Sequence, residues 1–442
     1  MIVAHGLGGS EDLPIPYTSV LIGGAWALTF SFAVVVFAWR TPRFGPDKPG
    51  RPAPLWVARF VDSPVTRTVA AVLALVFAVW VMMAGVFGPE SDDNPFAGSF
   101  YVLLWVGLVV LSVLVGPVWR VISPIRTVYR FGSRVVGRSR SERTRVYPTT
   151  WGYWPASVGL FAFVWLELAS PEPDSVPAIR IWLLCYVVLM VAGAAVWGDR
   201  WLTRSDPFDV YSVVASRLSV FGRDRATGRI VVGNPMNHLT TLPILPGTVV
   251  LLSVLLGSTA FDSFSDFPQW KDYVESIGGG DVGSSAAHTL ALVVFIAVVF
   301  GTFTLATRAT GGVSSAQRQA LPGQLAHTLI PIVIGYVLAH YLQYLVEKGQ
   351  ETFLALGDPL GRGWNVLWLQ DAHPGYVLSQ HPTVAATLKV GFVLGGHIAA
   401  VIAAHDASLR LLPARHQRTG QLALLLTMVA YTFLGLYLLF GG

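Results

Sequence analysis

The sequence predicts an all-α, polytopic integral membrane protein with about ten transmembrane helices and with both the N-terminus and the C-terminus outside. Three observations carry that prediction. The first is composition: of 442 residues, 53% are apolar and 12% charged, about half the charged share of an ordinary soluble domain. Too little charge is available to cover a water-soluble globule of this size. The second is a series of apolar runs close to the roughly 20 residues a helix needs to cross the hydrocarbon core. They lie at 18–39, 67–88, 98–119, 152–169, 178–198, 241–261, 286–307, 323–346, 383–405 and 420–440. The third is charge placement, since Lys and Arg concentrate on the cytoplasmic side of membrane proteins. Alternate loops hold 25 of the 30 Lys and Arg, while 16 of the 25 Asp and Glu lie on the opposite face. An added or missed span in the middle of the chain would destroy this alternation.

Taken in order, the opening 17 residues have neither the basic region nor the apolar core of a signal peptide. Val3-Ala4 before His5 has the look of a small-residue cleavage site, which raises the expectation of an upstream signal peptide. Cleavage there would place His5 first, where its amino group and imidazole could chelate copper together; the alternative is a polar tail with an incidental histidine. The first cytoplasmic loop carries Arg40, Arg43, Lys48, Arg51, Arg59 and Arg67, and the second carries eight arginines from Arg120 to Arg145. These read as topology determinants meeting lipid headgroups, not as a nucleic-acid surface, so no nucleic-acid partner is expected from the +5 net charge. The fourth run is short and ends near Glu167, which is expected at the outer headgroup level, with a place in an inner cavity as the alternative. The sixth opens with Pro243 and Pro246, so its first turn is expected to be irregular. Asp262, just after it, falls among the outer acidic loops.

The whole chain, 1–442, reads as one transmembrane domain. Segment 199–240 is its largest cytoplasmic loop and too small for a core of its own. In it, VASRLSVFGRD and TGRIVVGNP suggest a short amphipathic helix and a small hairpin. Trp151, Trp154, Trp197 and Trp201 fall at span ends, where indoles anchor to the interface. Gly391 and Gly395 form a small-xxx-small pair expected at a close helix crossing. His327 and His405 fall at inner span ends, where headgroups or water would meet them. The single cysteine, Cys185, excludes a disulfide framework, a thiolate zinc site and a CxxC redox motif. No Walker A, GxSxG, HExxH or dinucleotide fingerprint is present, which argues against ATP-driven transport by this chain alone.

Ionisable residues inside spans are costly and therefore the first functional candidates. In the eighth run Tyr336, His340, Gln343, Tyr344 and Glu347 recur at spacings of three and four, within an arc of roughly 100° on a regular helix. Pro331 is expected to kink this helix. The ninth run adds Lys389 and His397, with His381 at its mouth; His373 lies in the preceding loop and His288 begins the seventh run. Imidazoles and carboxylate on one side could hold zinc or copper and activate a water. In that reading His340, Glu347, His381, His373 and, separately, His5 are metal ligands. His340, Glu347 and Lys389 are the catalytic groups, with Lys389 stabilising developing negative charge. The alternative is that His340 and Glu347 tie helices together by hydrogen bonds.

Four segments carry a resemblance: HGLGGSEDLPIPY at the start, GDRWLTRSDPFDVYS in the centre, LLGSTAFDSFS, and HTLIPIVIGYVLAHYLQYLVEKGQ. Together they resemble a group of actinobacterial polytopic membrane proteins labelled fenitrothion hydrolase. The resemblance implies hydrolysis of an organophosphate ester and carries no active-site residue across. The expectation is thus a plasma-membrane, metal-assisted hydrolase of phosphoester-like or lipophilic substrates at an outward-facing polar cavity. A copper-handling or small-solute transport protein is the alternative, and a scaffold subunit with an unknown membrane-complex partner is the third reading.

Overall fold

The computed structural model describes residues 10–48, 50–91, 94–135, 145–369 and 371–441. Expectations for His5 and for the centre of the arginine-rich loop, 136–144, lie outside them. The described chain is almost entirely helical, and nine of its helices are long and apolar enough to cross a membrane: Tyr17–Ala38, Pro64–Phe87, Pro95–Val115, Val176–Trp197, Thr248–Ser265, Gly280–Arg308, Ser315–His340, Pro382–Leu411 and Leu422–Phe440. Each answers one of the apolar runs. The exception is the fourth, which folds as the 15-residue helix Trp154–Leu168, about 22 Å long at 1.5 Å per residue and so short of a ~30 Å hydrocarbon core.

Helix burial separates a centre from a periphery. In the apolar 18-residue core of Ser315–His340, 83% of the residues are buried, and in that of Thr248–Ser265 72%, against 11% in Pro64–Phe87. The peripheral helices turn large apolar side chains outward, among them Trp26, Phe30, Phe37, Leu73, Leu184 and Leu305. A surface of this kind fits a lipid solvent and not water.

Ser315–His340 packs closely on Pro382–Leu411. The close approach is at Gly335 and Gly396, where an added Cβ would strike the carbonyls of Phe392 and Pro331 respectively. The expected pair, Gly391 and Gly395, has open space instead. The two rotations differ by one residue, about 100° on a helix, which hydropathy alone does not resolve. Pro322 lies inside the first part of the central helix, which tightens into a 3-10 turn at Ala326–Leu329 before Pro331 opens the next α-helical stretch.

Contacts between loops keep to the partition read from charge. On the basic face, Arg51–Pro52 pairs with Ile230–Val232, which also pairs with Phe221–Arg223, so the expected hairpin gains a third strand. Asn237 donates to the Lys48 carbonyl, and Asp406 accepts from the Arg43 and Phe44 amides. On the acidic face, Arg180 pairs with Glu90 at 3.0 Å, Trp80 donates to the Leu356 carbonyl and Ser285 to the Ala169 carbonyl. The short Trp154–Leu168 helix respects the same division: Tyr153 at its start donates to Pro246, and Ala169 at its end meets Ser285.

Segment 199–240 is not all surface loop. Every residue of its helix Pro207–Ala215 is buried, and Pro207 packs on Gly159 of the short fourth helix. The polar residues of GDRWLTRSDPFDVYS hold this helix in place. Asp206 caps it through the Phe208 amide and accepts from Trp119 Nε1 and Tyr186 Oη, both at 2.9 Å. Asp209 meets Arg126 at 3.2 Å and Arg120 at 3.5 Å. Trp151, Trp197 and Trp201 stack into one cluster with Tyr147 rather than standing apart.

Candidate functional site

The observed sixth helix begins at Thr248 because Pro243, Pro246 and Gly247, the last at φ +87°, hold the preceding stretch outside it. It therefore ends later than the apolar run, and Asp262 and Ser263 enter the bundle instead of the outer loop. Asp262 is 3% exposed and Ser263 fully buried. Against them stands His340, also fully buried, at the end of the central helix. Its Nε2 lies 2.8 Å from Asp262 Oδ2, and its Nδ1 3.0 Å from Ser263 Oγ. Tyr341 Oη donates to Asp262 Oδ2 at 2.7 Å, and Tyr336 Oη and Ser263 Oγ are 2.9 Å apart.

Tyr336, Ser263, His340 and Asp262 thus form a contiguous run of polar groups with separations of 2.8 to 3.0 Å. Ser263 Oγ also lies 3.3 Å from the Thr259 carbonyl, to which it can donate, and Tyr341 donates to the Asp262 carboxylate.

Glu167 joins this interior. Both of its carboxylate oxygens are buried without a hydrogen-bond partner among the described residues. The group is within electrostatic reach of Asp262 and of the hydroxyls of Tyr101, Tyr211, Tyr341 and Tyr344. The inward alternative is the one the structure takes: the Glu167 carboxylate turns into the bundle toward Asp262.

The remaining residues of the expected stripe do not share this site. The helix breaks at Tyr341 and resumes as a π-turn over Tyr344–Lys348, so the 3.6-residue register linking His340 to Glu347 is lost. Gln343 Oε1 accepts from Lys389 Nζ at 2.6 Å. Glu347 accepts from the Ser379 amide at 2.8 Å and from its hydroxyl at 2.5 Å. Lys389 is fully buried and within electrostatic reach of Asp12 and Glu347. His373 and His381 are exposed in the 356–382 segment, and His288 packs on Phe261 and Trp270. Among the described residues, no three of His, Cys, Asp and Glu are grouped so as to hold a metal ion. His340, Glu347, His381 and His373 are accordingly not gathered into one ligand set. His405 and His327 are buried, not headgroup-facing, because the chain after the first helix folds over them; His405 Nε2 contacts the Trp39 carbonyl at 3.0 Å.

Sequence reasoning missed Asp262, Ser263 and Tyr341. The available signal was the prolines before residue 248, which move the whole helix toward Asp262. No family model, no curated protein and no solved structure matches the chain.

Proposed function

We propose that this is a multi-pass plasma-membrane protein, basic face inward, whose interior binds and passes protons in the service of small-solute transport. The observation that supports this reading most is the Glu167 carboxylate, enclosed without a partner beside the Asp262–His340 pair. Buried ionisable groups of this kind are expensive to keep in a membrane protein and mark ion or proton pathways. Two carboxylates, an imidazole and hydroxyls that each donate and accept can hand a proton along.

The test is proton flux into liposomes containing the purified protein, driven by a potassium diffusion potential and read with an entrapped pH dye. Flux well above empty liposomes is expected, falling by about tenfold or more in Asp262→Asn and Glu167→Gln. Wild-type flux no greater than the empty control, or unchanged flux in folded Asp262→Asn, overturns the reading.

The hydrolase reading is favoured by one specific observation: Ser263, His340 and Asp262 are the residue types of a hydrolytic triad and lie within hydrogen-bond distance. The imidazole is used the other way round, with the serine on Nδ1 and the carboxylate on Nε2, and Ser263 is fully enclosed. Ester hydrolysis by this route would require Ser263 to be labelled by a fluorophosphonate probe in detergent, with Ser263→Ala abolishing the label. A metal-assisted route would instead require bound zinc or copper that is lost in His340→Ala.

A further inference from the structure

A cavity of about 540 Å³ lies on the basic face, well within the size range of ligand sites. One wall is the strap 42–48, held by Asp406 through the Arg43 and Phe44 amides and by Arg410, which donates to the Phe44 carbonyl and pairs with Asp406 at 3.1 Å. The opposite wall is the start of the central helix, which contributes Gln324 and His327. His327 Nδ1 lies 3.0 Å from the Gln324 carbonyl. A carbonyl only accepts, so Nδ1 carries the proton and Nε2 of the neutral ring is an acceptor. That Nε2 and the side-chain oxygen of Gln324 are both buried with no partner among the described residues. Two enclosed acceptors without a donor are a standing cost that a ligand can relieve. Asp47 adds a carboxylate to the lining, Arg410 and Lys48 add cations, and Leu242, Ile244 and Leu411 an apolar side.

We infer that this cavity binds a phosphate compound bearing a primary ammonium. The phosphate sits at Arg410 and Lys48, and the ammonium donates to Gln324, His327 and Asp47. The same chemistry is offered by an ethanolamine phospholipid headgroup and by free phosphoethanolamine. A quaternary ammonium has the charge and no N–H, so the enclosed acceptors discriminate against it.

Binding is measured by isothermal titration of the full chain in detergent with dihexanoyl phosphatidylethanolamine, dihexanoyl phosphatidylcholine, phosphoethanolamine and phosphocholine. Each ethanolamine compound is expected to bind about tenfold tighter than its choline counterpart, the factor one lost hydrogen bond gives. Gln324→Leu should remove most of that preference, and Asp47→Ala on the exposed strap, which removes an acceptor outright, provides the same test if the buried variant fails to fold. A short-chain lipid that binds better than phosphoethanolamine identifies the bilayer as the source, and equal affinities identify a soluble one. Equal binding of ethanolamine and choline compounds, a preference that survives both substitutions, or no binding of any probe overturns the inference.

Discussion

At the scale of single residues, the bundle is distinguished by acids placed where lipid or apolar neighbours would be expected, each needing its own partners. Tyr341 donates to Asp262 Oδ2 at 2.7 Å, so Tyr341→Phe removes a hydrogen bond from a buried carboxylate. A loss of about 1–3 kcal/mol is expected, read as a shift in the chemical-unfolding midpoint in detergent. At Asp209, in the buried Pro207–Ala215 helix and outside the nine long spans, burial pushes the carboxyl up to about 6 from its ordinary 3.8, against the pull of Arg120 and Arg126. A raised acid favours the protonated fold. Its stabilisation is complete below about pH 4 and is lost as pH rises through about 6. Melting temperature should therefore decline over that window, and Asp209→Asn should flatten the slope; an identical slope in the variant would assign the titration to other groups.

Among the elements, the crossing of Ser315–His340 on Pro382–Leu411 decides where His340 stands. Gly396→Val forces a side chain into the Pro331 carbonyl, whereas Gly391→Val meets open space. The first should cost on the order of 1–3 kcal/mol, the usual range for overpacking, and the second little. Thermal denaturation of both variants separates this packing from a crossing centred on Gly391 and Gly395, which predicts the reverse order. The π-turn after Tyr341 acts at the same scale, dividing one apparent stripe into a His340 site and a separate Gln343–Lys389 contact.

For the molecule as a whole, two loop faces, one basic and one acidic, are joined within themselves by hydrogen bonds and ion pairs. If the basic face is cytoplasmic, a single cysteine at Ser276 in a Cys185→Ser background is labelled by an impermeant thiol reagent added outside intact cells. One at Thr227, beside the Phe221–Arg223 strand, is labelled only after permeabilisation. Labelling of Thr227 from outside would invert the orientation and with it the direction of the proposed proton path.

The sequence by itself determined the class, the approximate place of each helix, with ends up to about eight residues off, and the two-sided charge pattern. These follow from local sums of hydropathy and charge, which neighbouring helices do not alter. It also singled out Tyr336 and His340. What only the tertiary structure decided was which ionisable groups face one another. Asp262 lies at the edge of an apolar run, and its burial depends on a helix that starts at Thr248, not at residue 241. Glu167 lies at the end of another run, and its inward turn depends on how the Trp154–Leu168 helix is rotated against its neighbours. His340 and Glu347 share a face on an ideal helix, and a single π-turn parts them. Periodicity is a property of one helix, whereas a site is a meeting of several, and the offset of each from its neighbours is set by packing.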